Sequence, residues 1–434
     1  MRKGFIFNHN KCVNCNACNA ACILENGRTI HLRNIYVYNA DAEIALPVIN
    51  LSLACNHCES AVCMTGCPAS AFSREKSTRA VIIDEKKCLG CRYCQWNCPY
   101  DAPKFDAKKN TIAKCNLCFS ELIAGREPAC SNACPTGALK FGELSDKTPD
   151  VIYSWFPDKG LNPAIEFTGP LNSTPLKVIP ANAGSGGKFD QNQIQNKKRK
   201  NISAEVSLII FSFLATISVS VLVSSLIKGV FPDKWTFISL LVCTGLFSFF
   251  HLGKKFRSWR SLTNLRSSPL SREIAALIIY SVVSAFTVFL NLPVLLIVSS
   301  ASGLIFLLLI DGVYIFTDKN RYVILHTGQT FISALLIISF ISGIVLPFVF
   351  MALLKLGLSF YNQISKQLNN SDFTLRFLRV VFLVVPGLYL ILHSSYSDIF
   401  IIIIFLSGEL IDRILFYKDF NPLNINTLIN NNLR

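Results

Sequence analysis

Sixteen of the seventeen cysteines in this chain of 434 residues fall between positions 12 and 134, in four groups of four. The groups read CVNCNACNAAC (12–22), CNHCESAVCMTGCP (55–68), CLGCRYCQWNCP (88–99) and CNLCFSELIAGREPACSNACP (115–135). Each is three cysteines and then a fourth after a three-residue gap. No other feature constrains the fold as tightly, because sixteen thiols spaced in this way have to converge. A Cys-x-x-Cys turn aims two thiolates at one centre, and the remote fourth cysteine reaches a neighbouring centre instead. Proline after the fourth cysteine (Pro68, Pro99, Pro135) removes a backbone donor and fixes the exit of the chain, whereas group one has Ile23 there. Disulfides do not suit the pattern, since cysteines two apart rarely pair. The N-terminus MRKGFIFNHNKC also has no apolar core of signal-peptide length to take the chain to an oxidising compartment. Structural zinc does not suit it either, because zinc ribbons pair two Cys-x-x-Cys knuckles, and Cys-x2-Cys-x2-Cys-x3-Cys carries a cysteine beyond that pattern. The spacing predicts four [4Fe–4S] clusters with four thiolates each.

The net charge of +15 first suggests a nucleic-acid partner. Residues 1–200 carry 25 Lys and Arg against 17 Asp and Glu, a surplus of +8. Four clusters at roughly −2 each would add about −8. The loaded domain is then close to neutral, so its basic side chains offset cluster charge and no nucleic-acid partner is expected.

The sequence divides by composition. Residues 1–145 read as an α+β ferredoxin-like domain of doubled plan, with short strands at RNIYVYNA (33–40) and AVIID (80–84) between the cysteine loops. Val13, Leu89, Trp96 and Leu117 would pack around the clusters and keep water off the sulfurs. Residues 146–201 form a proline-punctuated tail, wrapped on that domain, and the linker ANAGSGGKFDQNQIQNKKRKN (181–201). Residues 202–420 predict an all-α multi-pass transmembrane bundle of seven or eight helices, and 421–434 a polar C-terminal tail. Runs 206–227, 235–253, 274–310 and 322–354 contain no charge and are long enough to span about 30 Å of hydrocarbon. The third turns at Asn291–Leu292–Pro293, and the fourth fits a tilted helix or a hairpin near Gly343–Pro347. A last pair turns at SSYSD (394–398). Cys243 reads as a small buried apolar residue and Asp311 as a local cap or partner.

The cysteine region resembles the four-cluster subunit of the molybdopterin oxidoreductases, the dimethyl sulfoxide reductase type especially. CLGCRYCQWNCPYDAPKF (88–105) and GREPACSNACPTGALKFG (125–142) are similar to that family's third and fourth motifs almost residue for residue. The resemblance implies that groups one and four pair, as do groups two and three. One cluster would take Cys12, Cys15, Cys18 and Cys134, and the next Cys22, Cys115, Cys118 and Cys130. The third would take Cys55, Cys58, Cys63 and Cys98, and the fourth Cys67, Cys88, Cys91 and Cys94. In such proteins this order runs from a catalytic subunit to the membrane.

HLGKKFRSWRSLTNLRSSPLSRE (251–273) joins the second and third spans and carries six Lys and Arg. Read plainly, it is a basic anchoring loop. Read for chemistry, it is a quinone site, because quinol oxidation needs a proton acceptor close to an electron acceptor. His251 and Glu273 are the titratable groups at its two ends. The loop resembles that of the family's membrane anchor, and GELIDRILFY (408–417) resembles the anchor's closing motif. This implies His251, Arg257 and Glu273 at a menaquinol site, in a fusion of electron-transfer subunit and anchor. Lys254–Lys255 departs from that pattern, which often has proline there. Glu409 and Arg413, four apart, read as an ion pair. His251, His326 and His393 each lie near a helix end, so no haem is expected.

These features predict a multi-pass subunit of a prokaryotic plasma (inner) membrane, in contact with lipid and the quinone pool. It would oxidise menaquinol and pass electrons through four clusters to a separate molybdopterin catalytic subunit that reduces an S-oxide, N-oxide or nitrate-like oxidant. The sequence offers no substrate site of its own. The alternatives are the same wire run in reverse, from a dehydrogenase partner to quinone, and a metal-binding regulatory domain on a membrane scaffold. Through the first four spans, twelve basic residues lie on the iron–sulfur side and two opposite, which puts that domain in the cytoplasm. The family resemblance points to the periplasm.

Overall fold

The computed structural model describes residues 2–27, 30–38, 48–145, 156, 158–169, 180–181, 205–315, 329–366, 373–393, 399–420 and 425. Most of the tail and linker, His326 and the SSYSD turn lie outside the described residues. The protein forms two compact units. One comprises Met1–Arg199, Phe256–Ser268 and Pro422–Arg434, and the other Lys200–Lys255 and Pro269–Asn421.

The first unit is α+β, as its mixture of cysteine turns and short alternating strands predicts. In order it contains β1 (Lys3–Phe7), α1 (Ala17–Asn26), β2 (Asn34–Tyr38), β3 (Ile49–Leu53), α2 (Val62–Thr65), β4 (Phe72–Arg74), β5 (Val81–Ile83) and α3 (Tyr93–Asn97). There follow β6 (Lys104–Asp106), β7 (Thr111–Ala113), α4 (Phe119–Ile123), α5 (Ala129–Asn132), β8 (Leu139–Glu143), β9 (Ile165–Phe167) and β10 (Pro180–Ala181). β1 lies between β8, antiparallel with Lys3 opposite Glu143, and β9, parallel. This closure carries the fourth cysteine group back to the first, so α1 packs against α5 while α2 packs against α3. β2 sits between β3 and β10, and the remaining strands form the hairpins β4–β5 and β6–β7. In β2 the apolar residues Ile35 and Val37 are buried opposite Ser52 and Asn50 of β3, and Leu51 and Leu53 of β3 are buried on the other face. Phe5, Phe7, Tyr38 and Leu139 complete one core, which Ile425 from the far end of the sequence also enters. The description of 421–434 as a polar tail therefore misses one buried residue.

The second unit is helical. Its described elements are α6 (Val206–Lys228), α7 (Lys234–Phe250), α8 (Pro269–Leu290), α9 (Pro293–Ile315), α10 (Gln329–Ser342), α11 (Val345–Lys366), α12 (Phe373–His393) and α13 (Ile399–Asp419). Among the described residues four helices, Val206–Lys228, Pro269–Leu290, Pro293–Ile315 and Phe373–Leu392, are long and apolar enough to cross a membrane. α6 packs against α7, α9, α10 and α13, which is why it is apolar on every side. Run 274–310 turns at Asn291, whose φ is 51°, and run 322–354 is divided between α10 and α11 at Gly343, φ 76°. Gly303 lets α9 approach closely, since a Cβ there would lie 2.9 Å from the Tyr280 ring.

Buried charges stabilise this unit across helices. Lys355 of α11 reaches Glu409 and Asp412 of α13, each at 2.7 Å, and Ser333 at 2.9 Å. Arg379 of α12 meets Asp412 at 2.7 Å. Helical spacing predicts Arg413 as the partner of Glu409, but Lys355 takes it, and Arg413 donates to the hydroxyl of Thr330 instead. Asp311 accepts from the first-turn amides of α10, Thr330 at 3.1 Å and Phe331 at 2.9 Å, and so caps that helix from α9. Cys243 is exposed on the bundle surface rather than buried.

Candidate functional site

The four Cys-x-x-Cys segments share one backbone device. The residue before the second cysteine has positive φ in each: Asn14 (56°), His57 (42°), Gly90 (70°) and Leu117 (66°). Glycine and asparagine reach this region readily; His57 and Leu117 are buried, so packing holds them there. The turn aims that residue's own N–H at the first sulfur. His57 N–H meets Cys55 Sγ at 3.4 Å, Gly90 N–H meets Cys88 Sγ at 3.4 Å, and Leu117 N–H meets Cys115 Sγ at 3.3 Å. Asn14 N–H serves Cys12 in the same way.

A second device follows the fourth cysteine in groups two to four. Ser70, Asp101 and Gly137, three residues on, have φ of 47°, 50° and 60°. Their N–H groups return to the carbonyls of Cys67, Cys98 and Cys134 at 3.3, 3.2 and 3.2 Å. Proline starts this turn because it cannot extend the preceding helix. Group one lacks it for a visible reason: Cys22 lies within α1, which runs on to Asn26.

Four sets of cysteines result, each mixing two groups. Cys12, Cys15, Cys18 and Cys134 line a cavity of about 300 Å³. Cys55, Cys58, Cys63 and Cys98 line one of about 380 Å³, and Cys67, Cys88, Cys91 and Cys94 one of about 310 Å³. Cys22, Cys115, Cys118 and Cys130 lie within electrostatic reach of one another. The sets adjoin in a row. Cys18 feels Cys130, Cys115 feels Cys55, and Cys94 feels Cys63. The first set opens to solvent: Cys15 is exposed, and Val13, which lines the cavity, is 63% exposed. Leu89 and Leu117 are buried as expected of cluster packing, and Trp96 is half-buried with its ring edge-on to Tyr93.

The chemistry of these sets fits [4Fe–4S] clusters. Burial pushes the Cys22 thiol up to about 11 and the Cys91 and Cys98 thiols up to about 12, a state that bound iron would reverse by taking thiolates. Backbone N–H groups already point at the sulfurs. Buried donors are left over beside them, namely Arg33 Nε and Nη2, Asn56 Nδ2 and His57 Nε2, which have no partner among the described residues. Bridging sulfides are acceptors of the kind these donors lack.

The last set is clasped by the segment that joins α7 to α8 in sequence. Arg257 Nη1 donates to the carbonyls of Glu85 (2.8 Å) and Cys88 (3.2 Å). Asn264 donates to the carbonyl of Cys67 at 2.9 Å, Thr263 to that of Pro68 at 3.1 Å, and Ser268 to that of Gly66 at 2.9 Å. Arg257 thus belongs to the first unit. His251 and Glu273 belong to the second, where Glu273 is buried just past the first turn of α8. His251 Nδ1 is buried without a hydrogen-bond partner among the described residues. Sequence reasoning missed Arg33, Lys114 and Asn264. Only Lys114, adjacent to Cys115, offered a signal.

The family described as "4Fe-4S dicluster domain" matches residues 47–144. The protein is similar to one polypeptide of the anaerobic dimethyl sulfoxide reductase of Haemophilus influenzae, 36% identical over 154 residues, which cover 33% of this sequence and 75% of that polypeptide. It is similar to one component of the tetrathionate reductase of Salmonella typhimurium, 31% identical over 183 residues (39% of this sequence, 72% of that component). One component of the sulfite dehydrogenase of Allochromatium vinosum is 32% identical over 146 residues (30% of this sequence, 60% of that component).

Proposed function

Through its N-terminal third the protein belongs to the iron–sulfur electron-transfer subunits of the dimethyl sulfoxide reductase type, and from that premise we propose a complete electron path from membrane quinol to a separate catalytic subunit. The observation that carries this reading is the row of four cysteine sets, each completed from a second group. Clusters held there supply one-electron acceptors in sequence. The rest is the work of the protein's own residues. Turned backbone amides fix the sulfurs, and Leu89, Leu117 and Tyr93 exclude water from the inner sets. The end of the row with Cys15 would meet a molybdopterin-containing partner that reduces an S-oxide, N-oxide or nitrate-like oxidant, a reading that the exposure of Cys15 supports. The helical unit serves as the anchor in the membrane. Glu273 accepts the protons of menaquinol, and His251 orients the quinol or shares its proton at the start of the connecting segment. Arg257 and Asn264 fix the backbone around Cys88 and Cys67, where electrons enter.

Co-expression with the gene product encoded beside it tests this reading. Reduction of an S-oxide or N-oxide that depends on menaquinol supports it, and turnover with no need for quinol contradicts it. A second reading, electrons passing from a dehydrogenase to quinone, draws on the similarity to a sulfite dehydrogenase component. Uniformly low midpoint potentials would favour that direction.

A further inference from the structure

Two cations are sealed inside the first unit. Arg33 is 1% exposed and Lys114 is 5% exposed. Arg33 Nη1 donates to the carbonyl (3.3 Å) and hydroxyl (3.1 Å) of Ser52, and its guanidinium lies 4.4 Å from the Phe5 ring centroid. No carboxylate pairs with it among the described residues. Burying a charge is costly unless something of opposite sign compensates. The groups whose charge would reach Arg33 once they hold iron as thiolates are Cys130, Cys18, Cys115 and Cys22, which belong to the first and second sets. Ser52 extends the link, since its hydroxyl lies 3.4 Å from Cys18 Sγ.

Lys114 repeats the arrangement one step along. Its ammonium donates to the carbonyls of Val81 and, at 2.7 Å, Cys115. It lines the cavity of Cys55, Cys58, Cys63 and Cys98, and its charge reaches Cys63 and Cys115. Arg33 therefore stands between the first and second sets, and Lys114 between the second and third. The fourth cavity has no sealed cation among the described residues, since Arg257, which holds the carbonyl of Cys88, is only half-buried. Its lining arginine, Arg92, is half-buried and stacks 3.9 Å over Phe105.

We propose that Arg33 and Lys114 set the reduction potentials along the row, holding the first three clusters above the fourth. Adding an electron to a buried centre is favoured by a fixed positive charge beside it, most strongly where the dielectric is low. Electrons that enter at the Cys88 end then run downhill toward the exposed Cys15. The inference rests on the reading of the cysteine sets as clusters, and it adds a direction to the row. Both residues act on the centres through their charge and take no part in electron transfer themselves.

A redox titration of the purified full-length protein, followed by EPR, tests it. Arg33→Leu should lower two of the four midpoints, each by at least a tenfold change in equilibrium, about 59 mV for one electron. Lys114→Met should lower two, one of them shared with Arg33→Leu. Arg33→Lys and Lys114→Arg should restore the wild-type values. Should Arg33→Leu lose iron, the polar but neutral Arg33→Gln carries the same expectation. Four intact clusters with unmoved potentials in Arg33→Gln and Lys114→Met would overturn the proposal and leave the cluster assignment standing. Fewer than four clusters in the wild-type protein would overturn the assignment itself.

Discussion

Arg257 donates from Nη1 to the carbonyl oxygen of Cys88 across 3.2 Å, although the two lie 169 positions apart in sequence. The same nitrogen holds the carbonyl of Glu85, and Asn264 holds that of Cys67. The segment between α7 and α8 thus fixes the backbone on both sides of the last cysteine set. Hydrogen bonds from a charged donor contribute about 1.5–3 kcal/mol each. Arg257→Ala should therefore loosen this set alone. EPR of the reduced protein should show one of the four signals broadened or lost and the other three unchanged. Arg257→Lys should recover only part, because the lysine side chain is one atom shorter and its ammonium falls short of the place that Nη1 takes.

Iron loading should depend on pH in a direction that the thiols fix. Burial raises Cys22, Cys91 and Cys98 to between about 11 and about 12, so these thiols keep their protons at neutral pH in the iron-free protein. Iron takes the thiolate, so ligation releases protons and becomes more favourable as pH rises. Reconstitution of the iron-free protein at about pH 8 should be more complete than at about pH 6. Calorimetry in buffers of different ionisation enthalpy should report the released protons. Loading indifferent to pH would contradict this account.

Lys355 holds two carboxylates of α13 in the interior of the helical unit. Lys355→Met should strand Glu409 and leave Asp412 with Arg379 alone, at a cost of about 3–5 kcal/mol. Thermal unfolding of the helical unit should move down sharply while the cluster spectra stay as they are. Adding Glu409→Gln should return part of the loss, since it removes the stranded charge.

Glu273→Gln should abolish reduction of the clusters by menaquinol and leave their reduction by dithionite intact. Glutamine keeps the shape and cannot take the proton. Stopped-flow bleaching of cluster absorbance separates the two results. Full menaquinol activity in this variant would remove Glu273 from the proposed proton step.

Much of this was legible in the sequence because cysteine spacing is a local signal. Ligand turns, prolines and the α+β character of the first unit all follow from residues within a few positions of one another. Helical runs were legible for the same reason, since the absence of charge over 274–310 is read directly. Long-range partners were not legible. Arg33 is sealed only because β2 pairs with β3 beneath Phe5. Helical spacing assigns Glu409 to Arg413, and Lys355 of another helix wins because it bridges two carboxylates at once. Val13 lines the first cavity as a shield would, yet its turn lies at the open end of the row, where it stays exposed.

The most direct test of the central claim is a count of iron by Mössbauer spectroscopy on the full-length protein purified without oxygen. The account predicts about sixteen irons per molecule, all in [4Fe–4S] clusters, four for each cysteine set. About eight irons, or zinc in place of iron, would contradict it.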